Sequence, residues 1–182
     1  MEDLTDKELI KHCQTGNPRY QRMLVDQYSG MLMATCLRYC RNQEDAQDCL
    51  QEAWIKILKS IDKYQHTGSF KAWMQRIAIN CALTIYRKTA SIIRIEANRI
   101  ESPRAHPPNV YSELNADEIL KIIHQLSEIK RHVFTLYVIE GYKHTEIAEL
   151  LEITDSTSRS ILTRARQEIR EMIQYYDKAL EL

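Results

Sequence analysis

The sequence predicts an all-α protein: two small helical domains joined by a flexible linker. Three observations predict it. Only 4 Gly and 4 Pro occur in 182 residues, too few for a protein built from strands and turns. Apolar residues recur at intervals of three and four, and no strand-like alternation interrupts them. The stretch from Asn98 to Ser112 carries Pro103, Pro107 and Pro108 with little hydrophobic period, which marks a linker. The domains are therefore expected at 1–97 and 115–182, with 98–114 between them.

The elements follow in order. Thr5-Asp6-Lys7-Glu8 has the spacing of a capping box and opens a short first helix. Asn17-Pro18 is an N-cap followed by proline at the first helical position. The helix it starts runs through Leu24, Val25 and Tyr28, with a break expected at Ser29-Gly30 before it resumes to Tyr39. Asn42, with Asp45 three residues on, caps a third helix. Its apolar stripe is Ala46, Cys49, Leu50, Ala53, Trp54, Ile57, Leu58 and Ile61. Gly68-Ser69 reads as turn plus cap. The fourth helix buries Phe70, Trp73, Met74, Ile77, Ala78, Cys81 and Ile85 and runs to about Lys88 or beyond.

Past the linker, Asn115-Ala116-Asp117-Glu118 starts a helix to about Leu126. Ser127 caps the next, which stops at Glu140-Gly141. Two more helices, about His144–Leu151 and Asp155–Tyr175, flank the turn Glu152-Ile153-Thr154, with Thr154 as N-cap.

Composition narrows the function. The 25 Lys and Arg balance the 25 Asp and Glu, and 44% of residues are hydrophobic, an ordinary globular balance. No apolar run is long enough to cross a membrane, and the acidic start Met1-Glu2-Asp3-Leu4 has no signal-peptide core. A soluble cytoplasmic protein with no membrane insertion is expected. Cys13, Cys36, Cys40, Cys49 and Cys81 form no paired framework and read as small buried residues. No phosphate loop, nucleophile motif or metal cluster is present, so neither enzyme activity nor a metal or other cofactor is expected.

The charge is unevenly placed. Residues 67–104 hold 7 basic and 2 acidic side chains, and residues 153–170 hold 4 Arg against Asp155 and Glu168. Two basic islands could meet polyanion at two places, or could be solvated faces. In the second, a short helix with Ile147, Ala148 and Leu150, a three-residue turn and a longer helix with Ile161, Leu162 and Ala165 fit a helix-turn-helix. The non-core face of the longer helix is Ser156, Arg159, Ser160, Thr163, Arg166 and Arg170, with Arg164 near enough for phosphate. Such side chains suit base edges and backbone.

In the first island, Tyr64, Gln65, His66, Thr67 and Ser69 feed a helix bearing Lys71, Arg76, Asn80, Arg87 and Lys88. Aromatic and amide groups beside cations suit unstacked bases. Phe70 and Trp73 both fit the buried stripe, so at least one of them packs in the core. The polar face Asp48, Gln51 and Glu52, with Ile55, reads from its residues as a solvated face or a protein-docking one. A dimeric helix-turn-helix regulator and a helical interaction protein without a DNA role both remain open at this level.

Three motifs carry a resemblance. Glu44-Asp45-Ala46-Gln47-Asp48-Cys49-Leu50-Gln51-Glu52-Ala53-Trp54 resembles the "DAEDLVQEVF" stretch of extracytoplasmic-function (ECF) sigma factors, initiation factors of bacterial RNA polymerase. Ser69 to Asn80 is similar to their "FxxWLxRIAxN" segment. Glu140 to Ala148 and Thr157 to Arg166 are similar to their region-four helix-turn-helix. The resemblance covers about 18–90 and 115–173, both family domains in order.

It implies a sigma region-two domain and a region-four domain. Asp48, Gln51, Glu52 and Ile55 would dock on the clamp helices of the polymerase β′ subunit. Tyr64, Gln65, His66, Thr67, Ser69, Lys71, Trp73, Arg76, Asn80, Arg87 and Lys88 would serve the minus-ten element, where one non-template base is flipped into the loop. Ser156, Thr157, Arg159, Ser160, Thr163, Arg164 and Arg166 would serve the minus-thirty-five element. The rest of region four would meet the flap of the β subunit. Promoter DNA and an anti-sigma factor are the further partners implied. Glu152 stands where the family turn usually has Gly, so a positive φ would strain it mildly. Ser156 and Ile161 also depart from the family pattern, which bears on promoter preference.

Overall fold

A computed structural model of the chain describes residues 5–65, 67–96 and 116–180. The expected linker 98–114 and the cap residue Asn115 lie outside the described residues, as does His66. Every regular element among the described residues is helical. The chain divides into two compact units, Met1–Tyr86 and Arg87–Leu182.

In the first unit, α1 (Asp6–Gln14) opens on the expected box: Thr5 N–H donates to Glu8 Oε2 at 3.0 Å, and Glu8 N–H donates to Thr5 Oγ1 at 3.5 Å. α2 (Pro18–Tyr39) starts where Asn17 Oδ1 accepts from Arg19 N–H at 3.1 Å. It runs unbroken, and the break expected at Ser29-Gly30 is absent. A glycine inside a helix costs only about 1 kcal/mol. Here Tyr28 and Leu32 are buried on either side, and Ser29 Oγ accepts from Trp54 Nε1 at 3.1 Å. Burial and an inter-helix bond outweigh the propensity.

α3 (Gln43–Ser60) is capped by Asn42, whose Oδ1 accepts from Asp45 N–H at 2.8 Å. It buries Ala46, Cys49, Ala53, Trp54 and Ile57 along α2. A 3₁₀ turn (Ile61–Lys63) and a loop lead to α4 (Phe70–Glu96). Phe70, Met74, Ala78 and Cys81 are buried as expected, but Ile85 is 37% exposed. The buried face widens instead to Ile79, Ala82 and Leu83. Cys49 Sγ approaches the Ala78 carbonyl at 3.7 Å, joining α3 to α4. All five cysteines are buried and reduced.

In the second unit, α5 (Ala116–Gln125) presents Ile122 and Ile123 to the core, and Leu126 just after it is buried too. α6 (Glu128–Phe134) follows Ser127, whose carbonyl, not its hydroxyl, accepts from Arg131 N–H at 2.9 Å. The helix then ends in a π turn (Thr135–Ile139), where Glu140 N–H donates to Thr135 O at 3.0 Å. Gly141, at φ 77°, stops it as expected. α7 (His144–Leu151) and α8 (Asp155–Leu180) complete the unit, α8 running past the expected Tyr175. α8 packs on α5, α6 and α7 around Val133, Leu136, Ile147, Leu151, Leu162 and Ala165.

Candidate nucleic-acid interface

The loop before α4 closes on itself. Tyr64 N–H donates to Ile61 O at 3.2 Å, and Tyr64 O–H donates to Gly68 O at 2.7 Å. Gly68 sits at φ 129°, in the region that favours glycine. Ser69 then caps α4, its Oγ accepting from Ala72 N–H at 3.4 Å. The closed loop and the first two turns of α4 enclose a surface pocket of about 390 Å³. Its α4 wall is one helical stripe: Ser69, Ala72, Trp73 and Arg76, at i, i+3, i+4 and i+7. Lys63, Tyr64, Gln65, Thr67 and Gly68 form the remainder.

An aromatic cluster backs the pocket. Tyr64 meets Phe70 edge-on at 5.0 Å and Trp73 at 5.3 Å, and Phe70 stacks on Trp73 at 5.5 Å. Phe70 is buried, and its other side meets Tyr28 at 6.0 Å. Trp73 is only half-buried. At least one of the two rings was expected in the core; it is Phe70, while Trp73 stands at the pocket.

Of the residues expected at the first basic island, Tyr64, Gln65, Thr67, Ser69, Trp73 and Arg76 share this pocket. Lys71, Asn80 and Lys88 are exposed on α4 but do not line it, and neither does Arg87. Lys63, Gly68 and Ala72 were missed. Extending the Ser69–Trp73–Arg76 period by one member would have found Ala72, whose small side chain leaves room beside the indole.

On α3, Asp48, Gln51, Glu52 and Ile55 are all exposed, Ile55 at 48%. Their spacing, i, i+3, i+4 and i+7, makes one continuous stripe with an apolar end. Glu52 also pairs with Lys56 at 3.2 Å.

In the second unit, α7 and α8 flank a tight turn. Glu152 adopts φ 56° and ψ 44°, the left-handed conformation that closes α7, and Ile153 N–H donates to Ala148 O at 3.0 Å. The strain expected there is present. Thr154 Oγ1 accepts from Thr157 N–H at 3.1 Å and caps α8. Ser156, Thr157, Arg159, Ser160, Thr163, Arg164 and Arg166 are all exposed. Arg159 donates from Nε to Asp155 Oδ1 at 2.6 Å and from Nη2 to Oδ2 at 3.4 Å. This pairing holds the Asp155 carboxyl below its ordinary range. Ser160 and Thr163 hydroxyls donate to the carbonyls of Ser156 and Arg159, each at 3.0 Å.

Behind that face lies a buried polar contact that the residue pattern did not reveal. Ser158 is 0% exposed and lies 2.9 Å from His144 Nδ1. Tyr137 stacks on His144 at 4.4 Å, and the Arg166 guanidinium sits 5.6 Å above the Tyr137 ring. Burial pushes the His144 pKa down, and the Arg159 and Arg166 charges add to that against the opposing Asp155. Ser158 could have been found on the stripe it shares with Leu162 and Ala165, at i, i+4 and i+7.

A pocket with an aromatic wall and a convex basic helix on a separate unit are the two shapes that handle unstacked bases and duplex edges. Comparison with known proteins shows the family. The family model for Sigma-70 region 2 matches residues 24–92, and that for Sigma-70 region 4 matches residues 116–169. The chain is 31% identical to the ECF RNA polymerase sigma-E factor of Haemophilus influenzae, over 95% of this chain and 97% of that one. It is 30% identical to the sigma-E factor of Escherichia coli K12, over 95% and 96%.

Solved structures show the same fold. CnrH, solved with the cytosolic domain of CnrY, matches with a TM-score of 0.52 at 19% identity, over 93% of this chain and 97% of that one. The sigma factor RpoE of Bartonella quintana, solved with the anti-sigma factor NepR, matches with a TM-score of 0.54 at 20% identity, over 84% and 96%. The dimeric-regulator and interaction-protein alternatives are thereby set aside, and this chain belongs to the ECF sigma factors of bacterial RNA polymerase.

Proposed function

We propose that three surfaces divide the work of this sigma factor. The α3 stripe Asp48, Gln51, Glu52 and Ile55 docks on the β′ clamp helices of core polymerase. The pocket of the first unit takes one unstacked base of the minus-ten element, with Lys71, Asn80, Arg87 and Lys88 following the strand along α4. The exposed face of α8 reads the minus-thirty-five duplex, and the rest of its unit meets the β flap. The functional domains are 1–97 and 115–182, with 98–114 as linker. No helix among the described residues is long and apolar enough to cross a membrane, in keeping with work in the cytoplasm. An anti-sigma protein, of the kind solved with the Bartonella relative, is the expected regulator.

The observation that carries this reading is the pocket. Its volume falls in the roughly 300–1,000 Å³ range of small-molecule sites, and aromatic rings, amide and cations surround it. Extruding a base costs a few kcal/mol, offset by stacking and hydrogen bonds in such a pocket. The chain as a whole carries no net charge, so it should bind promoter duplex weakly alone and gain affinity on the polymerase.

Run-off transcription tests the docking assignment. Core polymerase with this chain should produce defined new transcripts from genomic promoters. Asp48→Lys with Glu52→Lys, both exposed positions, should abolish them and core binding together. Undiminished transcripts from the double variant would remove the α3 stripe from the docking surface.

A further inference from the structure

Asp155 is the first residue of α8 and sits on the same surface as the proposed readers. Its carboxylate takes two donors of Arg159, Nε–H and one Nη2–H. An exposed pair one helical turn apart contributes little to folding. An acid on a DNA-facing surface also opposes phosphate. The helix dipole favours an acid in the first turn of α8, but that role does not require the two-donor grip on Arg159.

The geometry supplies another role. A guanidinium has five N–H donors in a planar fork. The carboxylate occupies the edge formed by Nε and Nη2. Both Nη1 hydrogens and the second Nη2 hydrogen are left, and these form the end that matches O6 and N7 of guanine. The neighbours have the opposite character. Ser160 and Thr163 have committed their hydroxyl hydrogens to the helix carbonyls. Their outward lone pairs accept, and so suit the exocyclic amines of adenine or cytosine. The face thus offers one two-donor fork beside two acceptors.

We propose that Asp155 is a specificity-determining residue: it holds Arg159 end-on, so that this sigma factor demands guanine at one minus-thirty-five position. Without the carboxylate, Arg159 is free to swing to phosphate, which carries no sequence information. This rests on the reading that α8 meets the minus-thirty-five duplex.

The test uses holoenzyme assembled from the full chain and core polymerase. Promoter fragments keep the minus-ten element fixed and are randomised across the minus-thirty-five element, and the bound fraction is sequenced. The wild type should select guanine at one position, and Arg159→Ala should lose that selection. Asp155→Ala should cut the preference there about tenfold, leave other positions unchanged and strengthen binding to unrelated duplex. Asp155→Asn, which keeps one acceptor oxygen, should restore part of it. Asp155→Ala with Arg159→Ala should lose no more than Arg159→Ala alone. An unchanged preference in Asp155→Ala overturns the proposal, as does an equal loss at every position or a further loss in the double variant. Arg159→Ala with every preference intact would instead overturn the reading of α8 as the duplex reader.

Discussion

The two candidate DNA surfaces are built by opposite means. The pocket of the first unit is concave and depends on closure: Tyr64 must reach back to Gly68, and Trp73 must lean against Phe70. The α8 face is convex and depends on period: its side chains stand on successive turns and are ordered by bonds to their own helix. A concave surface pocket beside aromatic rings suits a base removed from its stack. A convex helix can only lie against what is already exposed, such as the edges in a major groove. On the proposed reading, strand opening and duplex recognition fall to different units.

The comparison breaks most visibly at the ring of the one surface, Trp73, and the guanidinium fork of the other, Arg159. Trp73→Ala should remove stacking worth roughly 1–3 kcal/mol per base and slow opening by about one to two orders of magnitude. Phe70 stays buried against Tyr64, and minus-thirty-five binding should stay intact. Permanganate reactivity of minus-ten thymines would measure the first, and footprinting of the upstream duplex the second. Arg159→Ala should do the reverse, weakening upstream recognition roughly ten- to hundredfold if it meets a base. Opening on a template with a preformed minus-ten bubble should be unaffected.

Effects on folding sharpen the same contrast. Ser158→Ala leaves buried His144 without its hydroxyl partner and should destabilise the second unit by about 1–3 kcal/mol. The first unit, on its separate core, should melt as before, which calorimetry on the full chain can resolve. Acid should act in the same place. His144 has its pKa lowered from the ordinary 6.5 by burial and by Arg159 and Arg166, against Asp155. The unfolded chain therefore binds the proton more readily. The contribution of neutral His144 is fully present above pH 6.5 and is lost as pH falls through the lowered folded value. Thermal melts from pH 7.5 to 5 should show the second unit losing stability, and His144→Gln should flatten that slope. The smallest effect is at the turn. Glu152→Gly relieves a left-handed conformation and should stabilise the second unit by on the order of 1 kcal/mol.

What could be read in the residues follows from the same difference in construction. Helices announce themselves locally. The caps at Thr5, Asn17, Asn42 and Thr154 need only nearby residues and stand as expected, and the stripe of α3 does so apart from Leu50 and Leu58, which are half-buried. The α8 face was legible for that reason. Features set by distant partners were not. Gly30 stays helical because Tyr28 and Leu32 pack on other helices. The π turn depends on an i+5 bond from Glu140 to Thr135, and it leaves Val138 and Ile139 outside at 47% and 44% exposure. Nothing in the residue pattern pairs Ser158 with His144, which reaches it from α7. The pocket stood between the two cases. Its aromatic residues and Arg76 could be named from the chain, but Lys63 and Gly68 join it only once the loop closes.

The most direct test of this division of labour is base flipping observed on the holoenzyme. 2-Aminopurine placed in the non-template strand of the minus-ten element should brighten at a single position when wild-type holoenzyme binds. Trp73→Ala should abolish that signal while the upstream footprint persists. Arg159→Ala, supplied at a concentration that restores occupancy, should keep it. Equal loss of signal and footprint in both variants would contradict the account.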